Sequence, residues 1–447
     1  MPLRALLIPS LALLAVPGAV RAADDLGFQI HGFASQGYIR TQGELYEAGS
    51  YGRDTNSGTF EFNEFALNVT ATPIDRLRIG VQLIAYDLGK YGDDEVGLDW
   101  AFGEYQVPVT DWFQFSLVAG RFKTGHGFYN DYRDLDMTRT EVFLPRAAYT
   151  TSFRDFFLAA NGGQINATID AAALGSFDVS GFIGTQNVND ADGPIADLFR
   201  GGVQTTSVTL PIFFPNVGGA TISNELSEVD NLTVDQMNGG YFTWNTPLQG
   251  LRLKVSSLYA QHLRLTGTIE STYTDGPQPG DDSLDGRTAT SQVVIDGLHW
   301  FDVMFGGEYV VDNFVFAAEG SSQYYKAILN SEATQFESAD GSVVFPVAAV
   351  TQTFTNRTLG AYGSVGYQFA DLSGPLSRLS VYSAYNWIRS SSGGSPSIYT
   401  RSASVALRYD ITDHFLIKGQ FERVQRGDPG NGHDYGNVFS LKTTFDF

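Results

Sequence analysis

The chain has 447 residues, 13% aromatic residues, 49 Gly, no Cys and a formal net charge of −21. This acidic balance argues against a nucleic-acid backbone as a partner, because phosphates are neutralised by Lys and Arg. The absence of Cys suits a chain exported through an oxidising compartment, and abundant Gly and aromatic residues favour sheet over helix.

The N-terminus has the pattern of a secretory signal peptide. Arg4 supplies a positive charge, a short apolar run follows, and Val20 and Ala22 place small residues before a cleavage point. The run is too short for a membrane anchor, and no later stretch of about 18 apolar residues predicts a transmembrane helix. We therefore expect a signal peptide over 1–22 and a single β-rich domain over 23–447.

The remainder of the chain alternates apolar and polar residues in runs separated by turn signals. Connections after even-numbered runs are short and those after odd-numbered runs are longer, which would place both termini at one rim of a barrel. Sixteen strands are predicted near 27–41, 59–72, 77–88, 97–107, 112–122, 156–169, 177–186, 238–245, 251–265, 299–311, 314–326, 357–369, 378–389, 400–411, 414–425 and 438–447.

The alternation predicts which face of each strand meets lipid. Leu77, Ile79 and Val81 share one face of the third strand, whereas Arg78 lies on the other. Backbone groups in a bilayer must all be paired, so such a sheet must close. The predicted fold is an all-β transmembrane antiparallel barrel of about 16 strands (about 16–18). The aromatic residues expected at its interfaces are Trp112, Tyr309, Phe415 and Phe447.

Between the fifth and sixth predicted strands lies an irregular stretch, Arg121–Asp155, that is rich in Arg, Asp and Tyr. It is the third connection after an odd-numbered strand, so it starts at the rim that carries the long loops. We expect it to fold back into the bore of the barrel and narrow it over residues 123–154.

These features resemble Gram-negative outer-membrane porins: the signal peptide, the alternating strands, the terminal Phe447 and the long third loop. The segments GRFKTGHGFYNDYRDLDMTR and RDFFLAANGG are similar to stretches of little-characterised proteobacterial porins related to the general and phosphate-selective groups. The resemblance implies a homotrimer in the outer membrane, in contact with lipid and lipopolysaccharide. It also implies a third loop folded inward and passive diffusion of small hydrophilic solutes and ions.

A filter for ions and polar solutes needs opposed charges at its narrowest point. We expect Arg133 and Arg139 to face the lumen as cations, and Asp131, Asp134 and Asp136 as acids. The alternative is that these charges only pair with one another and brace the loop. The full set of constriction candidates is Lys123, His126, Asp131, Arg133, Asp134, Asp136, Arg139, Glu141, Arg146 and Arg154.

The predicted pore wall carries charges of both signs. The bases are Arg40, Arg76, Arg78, Arg252, Lys254 and Arg264, although Arg76 could instead sit at a turn beside lipid headgroups. The acids are Asp302, Glu308, Glu319 and Glu422. Because the signs are mixed, the ion preference stays open, and a porin that prefers anions or dicarboxylates is an alternative.

No cofactor is predicted. Acidic outer loops, one over 188–236 and one containing Asp275, Asp281, Asp282 and Asp285, could offer hard oxygen ligands to Ca²⁺ or Mg²⁺, or simply be solvated. The 6 His include no HExxH pair and the chain has no GxSxG motif, so an enzyme is not predicted. Two other classes remain as alternatives: a secreted β-rich glycan-binding or adhesin protein, and an outer-membrane enzyme.

Overall fold

The structure, a computed structural model, describes most of the chain. The described residues are 27–43, 55–89, 92, 94–133, 135–149, 154–186, 208–209, 221–274, 284–342, 344–393, 397–428 and 432–447. The predicted signal peptide 1–22 and the predicted acid Asp134 lie outside them. Among the described residues no helix is both long enough and apolar enough to cross a membrane.

In the described part of the chain, sixteen antiparallel strands form one closed sheet. They are β1 Gln29–Gly43, β2 Asn63–Ile74, β3 Leu77–Asp87, β4 Gly97–Thr110, β5 Phe113–Lys123, β6 Ala159–Asp170, β7 Ser176–Gln186, β8 Thr221–Asn245, β9 Leu251–Thr274, β10 Thr288–Val311, β11 Phe314–Ser331, β12 Val350–Gln368, β13 Leu379–Ser392, β14 Ile398–Thr412, β15 Phe415–Asp428 and β16 Gly432–Asp446. The sheet closes where β1 pairs with β16, for example Arg40 opposite Phe439. This confirms the predicted antiparallel barrel of about sixteen strands.

Two smaller β-elements accompany the barrel. The two-residue strand Val208–Thr209 pairs with β8. A hairpin of Thr334–Glu337 and Val344–Val347 lies between β11 and β12. The buried Phe336 of this hairpin packs in an apolar cluster with Tyr273 at the far end of β9.

The alternation of faces is as the sequence predicts. On β16, Phe439 and Leu441 are exposed on the outer face, whereas the alternating residues Ser440 and Lys442 are buried inside. On β3, Ile79 and Val81 are likewise exposed and Gln82 is buried. An apolar exterior over a closed, internally paired backbone is the arrangement that a bilayer requires.

Several strands are longer than predicted. β8 has 25 residues, and β9 and β10 have 24 each, whereas about 9–11 residues cross a bilayer. The predicted loop over 188–236 is therefore wrong for residues 221–236, which belong to β8. Outside the bilayer a strand needs no apolar outer face, so the alternation that marks the membrane part is lost there.

Two predicted long connections are also short in the structure. Strand β13 ends at Ser392 and β14 begins at Ile398, while β15 ends at Asp428 and β16 begins at Gly432. Long connections thus do not follow every odd-numbered strand. Six of the seven even-to-odd connections are short, and the seventh, from Gln368 to Leu379, is longer and includes a 3₁₀ helix. The rim that carries these seven connections is called here the short-turn rim, and the opposite one the long-loop rim.

A β-bulge changes the side-chain parity of β9. His262 has a positive φ of 53°, and the register with β10 shifts on either side of Leu263. Before the bulge, the even-numbered residues, such as Lys254, face the lumen. After it, the inward-facing buried residues are odd-numbered, as Leu263 and Leu265 are. Because a bulge inserts one residue, every side chain beyond it changes face.

The predicted start of the sixth strand is instead a short helix, α1, at Arg154–Leu158. Its Phe156 and Phe157 rings lie 5.3 Å and 5.7 Å from the ring of Trp300 on β10. These three rings belong to an apolar cluster on the inner side of β5 to β11. Large aromatic side chains gain more from this burial than from extending β6 by three residues.

Candidate functional site

The segment 124–149, called here the inner loop, leaves the end of β5 and lies against inward-facing side chains of the barrel. It contains two 3₁₀ turns, Asn130–Tyr132 and Asp136–Thr138. The side-chain amide of Asn130 donates to the carbonyl of Thr124 at 2.8 Å and to that of Phe157 at 3.0 Å. This amide ties the beginning of the loop to the helix that follows it.

Asp136 is the centre of the most charged contact between the inner loop and the wall. Its carboxylate lies 2.6 Å from the ammonium of Lys442, 3.3 Å from that of Lys418 and 2.8 Å from the guanidinium of Arg139. The Thr444 hydroxyl donates to it at 3.2 Å. One buried anion is therefore compensated by three cations, two of them on the inner faces of β15 and β16.

Glu64 on β2 extends this cluster to helix α1. Its carboxylate accepts from Lys442 and lies 3.4 Å from the Arg154 guanidinium. Arg154 also stacks 4.2 Å over the ring of Tyr86 on β3. The cluster thus joins the middle of the connection between β5 and β6, and α1 near its end, to one part of the wall.

The electrostatic state of Asp136 follows from these contacts. Burial alone would raise the pKa of its carboxyl, but Lys418 and Lys442, followed by Arg139, hold that pKa well below its ordinary value. Burial raises the pKa of Glu141, so Glu141 takes up a proton earlier on acidification than Asp136 does. Among the described carboxylates of the inner loop, Asp136 is therefore the one that remains charged to the lowest pH.

Acidification should release the inner loop. The pKa of Asp136 is lower in the attached loop than its ordinary 3.8, so this attachment is at full strength above that value. It weakens as the pH falls from there through the depressed pKa. We expect single-channel conductance to be constant from about pH 7 to 5 and to rise below about pH 4. A flat profile down to pH 2, with the barrel still folded, would contradict this.

A second contact involves Arg146 and Glu422, which form a bidentate buried ion pair. The Arg146 Nε and Nη2 atoms donate to the two carboxylate oxygens at 2.8 Å and 2.6 Å. Beside it, the backbone amides of Val142 and Phe143 donate to the side-chain carbonyl of Gln420 at 2.8 Å and 3.1 Å. Both wall residues lie on the inner face of β15.

Glu319 on β11 forms a third contact. Its carboxylate accepts from the Phe128 amide at 2.9 Å, the Tyr149 hydroxyl at 2.5 Å and the Tyr362 hydroxyl at 2.6 Å. Nearby, a Cβ atom at Gly360 would overlap the backbone carbonyl of Ala147. Glycine at this position of β12 is what lets the loop backbone approach the wall so closely.

Further contacts join the loop to β9, β10 and β14. The His126 Nε2 atom lies 3.4 Å from the Asp302 carboxylate. The Arg252 Nη2 atom donates to the Tyr132 hydroxyl at 3.1 Å, and its Nε donates to Glu308 at 2.9 Å.

Arg408 completes this side of the wall. Its Nη1 atom donates to the backbone carbonyls of Met137 at 2.6 Å and Arg139 at 3.0 Å. Of the barrel strands contacted, β2 lies on one side and β9 to β16 on the other. The inner loop is therefore attached mainly to one half of the wall.

The cations and acids predicted to face the open lumen are placed differently. Arg133 and Asp136 are buried, and the Arg139 side chain is 10% exposed. Because each buried charge requires compensation, the loop charges turn towards the wall rather than towards open space. The more accessible charges include Arg78, whose side chain is 51% exposed, Asp131 at 44% and Arg252 at 35%.

The remaining constriction candidates are also largely enclosed. Lys123 lies 3.3 Å from Asp99, and Glu141 is buried with its backbone carbonyl accepting from Lys418 at 3.1 Å. His126, Arg146 and Arg154 are buried in the contacts described above.

Two of the predicted wall bases are wrong. Arg40 lies opposite Phe439 on the outer face, between the buried Ile39 and Thr41. Arg264 lies beyond the bulge at His262 and alternates with buried Leu263 and Leu265, so it is also on the outer face.

Arg76 occupies the turn after β2, with a positive φ of 66°, and its Nε lies 3.4 Å from Asp75. It is thus a rim residue. The candidates that lie on the inner face are Arg78, Arg252, Lys254, Asp302, Glu308, Glu319 and Glu422.

Two of the cavities that border the described part of the inner loop are large. One of about 580 Å³ separates it from the inner faces of β1 to β6. Its charged and aromatic lining residues are His31, Arg78, Trp100, Phe102, Glu104, Phe122, Lys123 and Asp131. The other, of about 680 Å³, lies beside β9 to β14 and borders Arg252, Glu308, Arg408 and Asp410.

Sequence reasoning did not include several anchoring residues among the site candidates. Lys418, Lys442, Glu64 and Gln420 all occupy inward-facing positions of strands in which apolar and polar residues alternate. A charged residue at an inward position of a strand is the signal that could have identified the two lysines and the glutamate.

The divalent-cation prediction lies mostly beyond the part of the chain that is described. Asp275, Asp281 and Asp282 are outside the described residues. Within the described ranges, no group of three or more His, Asp or Glu residues could hold a metal ion.

No protein-family model and no curated protein matches this chain. Among solved structures, it is similar to OmpT, an outer membrane protein of Vibrio cholerae, with 10% identity, a TM-score of 0.46 and coverage of 94% of this chain and 97% of that one. It is also similar to the outer membrane channel DcaP of Acinetobacter baumannii, with 13% identity, a TM-score of 0.46 and coverage of 94% and 97%. The anion-selective porin from Comamonas acidovorans is 10% identical, with a TM-score of 0.43 and coverage of 94% and 99%.

Proposed function

We propose that this outer-membrane β-barrel is a porin, through which small hydrophilic solutes and ions diffuse passively. The observation that supports this is the attachment of the inner loop to one half of the inner wall. The loop contacts β9 to β16 through Glu319, Arg408, Glu422 and Lys442, whereas a cavity of about 580 Å³ lies between it and β1 to β6. A loop fixed in this way narrows a water-filled bore without filling it.

The proposed passage has charges of both signs along its length. The cavity on the β1 to β6 side borders Arg78 and Lys123, but also Glu104 and Asp131. The cavity on the β9 to β14 side, which we include in the passage, borders Arg252 and Arg408, but also Glu308 and Asp410. Selectivity in pores depends on the net field at the narrowest point, so mixed linings favour weak selectivity. We therefore favour general diffusion over a preference for anions or dicarboxylates.

The other protein classes fit this arrangement less well. A secreted soluble glycan-binding protein or adhesin would not expose rows such as Ile79, Val81 and Leu83 around a closed barrel. Of the described lumen charges, Asp136, Glu319 and Glu422 are engaged in loop attachment, an arrangement that we expect of a channel rather than of an enzyme. By resemblance we also expect a homotrimer in contact with lipopolysaccharide, and native mass spectrometry in mild detergent would measure the oligomeric state.

The test is conductance in a planar lipid bilayer. Purified full-length protein is expected to insert in discrete conductance steps, and a preparation that inserts without any steps would overturn the proposal. A reversal potential measured in a salt gradient then reports ion selectivity. We expect a small reversal potential for the native protein.

Replacing Arg252 with Gln should shift the reversal potential towards cation selectivity. The change removes one of the more accessible positive charges beside the lumen and leaves the negative charge of Glu308 there. Arg264→Gln is the matched control, because it removes the same charge from the outer face. Equal shifts in both variants would contradict the proposal that Arg252 borders the conducting path.

A further inference from the structure

Five cationic side chains stand on the outer face of five consecutive strands, β11 to β15. They are called here the basic belt: Lys326, Arg357, Arg389, Arg401 and Arg423. Each is exposed and alternates with inward-facing neighbours; Arg423, for example, lies between the buried Glu422 and Val424. The belt therefore faces outward from the barrel.

The register makes the belt continuous. Arg357 lies opposite Tyr324 and Ser391, which are each two residues from the neighbouring belt residue. Arg389 lies opposite Tyr399, and Arg423 opposite Ala403, each two residues from Arg401. Successive belt residues are thus diagonal neighbours on one face, roughly 7–8 Å apart at their Cα atoms.

The belt lies at a common depth. Arg423 is eight residues after Phe415, the first residue of β15, and Arg389 is ten residues after Leu379, the first of β13. Lys326 is twelve residues after the start of β11, and Arg357 and Arg401 are each eleven residues before the short-turn ends of β12 and β14. Because about 9–11 residues cross the hydrocarbon core, the belt reaches the headgroup level of the leaflet on the long-loop side.

On the five strands that carry the belt, no described carboxylate accompanies these cations on the outer face; Asp296 on the neighbouring β10 lies opposite Ile328, diagonal to Lys326 at one end of the belt. Among the described residues, the outward positions of β11 to β16 include no Asp or Glu, although the chain as a whole has 49 acidic residues. The contacts of the belt are with neutral groups: Arg389 lies 5.7 Å from the Tyr399 ring, and Arg423 lies 5.1 Å from the Tyr435 ring. Five adjacent positive charges repel one another unless an anion lies among them.

A notch in the belt has the dimensions of a small anionic group. A cavity of about 170 Å³ is bordered by Arg357, Leu359, Arg389 and Ser391. Two guanidinium groups and a hydroxyl can all donate to phosphate oxygens, and Arg forks match phosphate geometry in a bidentate manner. Exposed Val405, Leu407 and Phe421 continue the same outer face towards the short-turn rim, where acyl chains would lie.

We infer that the basic belt binds the phosphorylated headgroup of an outer-leaflet lipid, with the notch between Arg357 and Arg389 taking one phosphate. The lipid is of the lipopolysaccharide class, whose anchor has phosphates at the depth of the belt and acyl chains below. This inference rests on the outer-membrane placement, but it concerns the outer wall and not the conducting path. Binding would be direct, without a bridging divalent cation.

The test compares the full chain in detergent with the double variant Arg357→Gln, Arg389→Gln and with the control Arg264→Gln. Binding of diphosphorylated lipid A is titrated by native mass spectrometry in the presence of a chelator. The double variant is expected to bind at least tenfold more weakly, and the control to bind like the native protein. Equal affinities for all three proteins would overturn the inference.

A second arm tests the chemistry of the headgroup. The native protein should bind diphosphorylated lipid A more tightly than the monophosphorylated form, and fully dephosphorylated lipid more weakly still. Equal binding of the dephosphorylated lipid would show that acyl chains alone account for the association and would overturn the inference. Bilayer conductance, measured on the same preparations, is expected to be unchanged in the double variant, so a failure here is distinguishable from failure of the channel proposal.

Discussion

Replacing Asp136 with Asn is expected to detach the inner loop from the wall. The change removes the only carboxylate that lies within 3.3 Å of both Lys418 and Lys442 in the described structure. Removing one partner of a buried ion pair leaves an uncompensated charge and costs about 3–5 kcal/mol. The cost falls on the attachment of the loop, since the backbone ladder of the barrel is untouched. Single-channel recordings should show larger conductance and more frequent fluctuations.

Asp131→Asn is the matched control for this prediction. It makes the same chemical change in the same loop, but Asp131 is 44% exposed and lies 3.9 Å from Lys254. Exposed ion pairs contribute about 0–1 kcal/mol, so the loop should stay attached and conductance should change far less than in Asp136→Asn. If Asp136→Asn and Asp131→Asn gave the same conductance, the attachment of the loop would not depend on the buried cluster.

Replacing Glu422 with Gln should have the second largest effect. Glu422 accepts both hydrogen bonds of the bidentate pair with Arg146, and both side chains are about 6% exposed. The neutral amide leaves the guanidinium buried without a counter-charge, at a cost of about 3–5 kcal/mol. We expect faster proteolysis at the inner loop. When samples are heated to a series of temperatures before electrophoresis, the band of the folded barrel should disappear at a lower temperature than for the native protein.

The double variant Arg146→Met, Glu422→Leu separates compensation of charge from packing. Two apolar side chains of similar volume remove both charges together, and such replacements of buried pairs are often neutral. We therefore expect the double variant to resist proteolysis better than Glu422→Gln alone. A double variant less stable than the single one would mean that the hydrogen bonds themselves, and not the compensated charge, secure the loop.

The number of strands was predictable because the bilayer imposes a local pattern. Each membrane-crossing strand must show apolar residues outward at every second position, as Ile79 and Val81 do on β3 and Phe439 and Leu441 do on β16. This constraint acts within about ten residues, so it can be read along the chain without knowing which strands pair.

Features outside that constraint were not predictable. Residues 221–236 of β8 lie beyond the length that a bilayer requires, and nothing there demands alternation. The bulge at His262 was also missed, and it moves Arg264 to the outer face. A bulge depends on how β9 pairs with its neighbours, and the sequence of one strand alone does not reveal that pairing.

The composition of the inner loop was readable, but its contacts were not. The charges between Lys123 and Arg154 marked the segment as unusual, and its position as the third connection after an odd-numbered strand indicated its starting rim. The partners of Asp136, however, are up to 308 residues distant along the chain. A buried charge is stable only beside a counter-charge, and the closed sheet decides where the counter-charges are. The side chains of Arg133 and Arg139 are therefore enclosed between the loop and the wall rather than in open lumen.

The sequence by itself determined the class of fold, the approximate number of strands and the faces of the membrane-crossing strands, because lipid acts on each strand separately. Closure of the barrel decided the rest. It brought Glu64 of β2 beside Lys442 of β16, set Arg146 against Glu422, and aligned Arg357 with Arg389 on the outer face. Those juxtapositions arise from registers between strands, and registers are a property of the folded sheet rather than of any one segment.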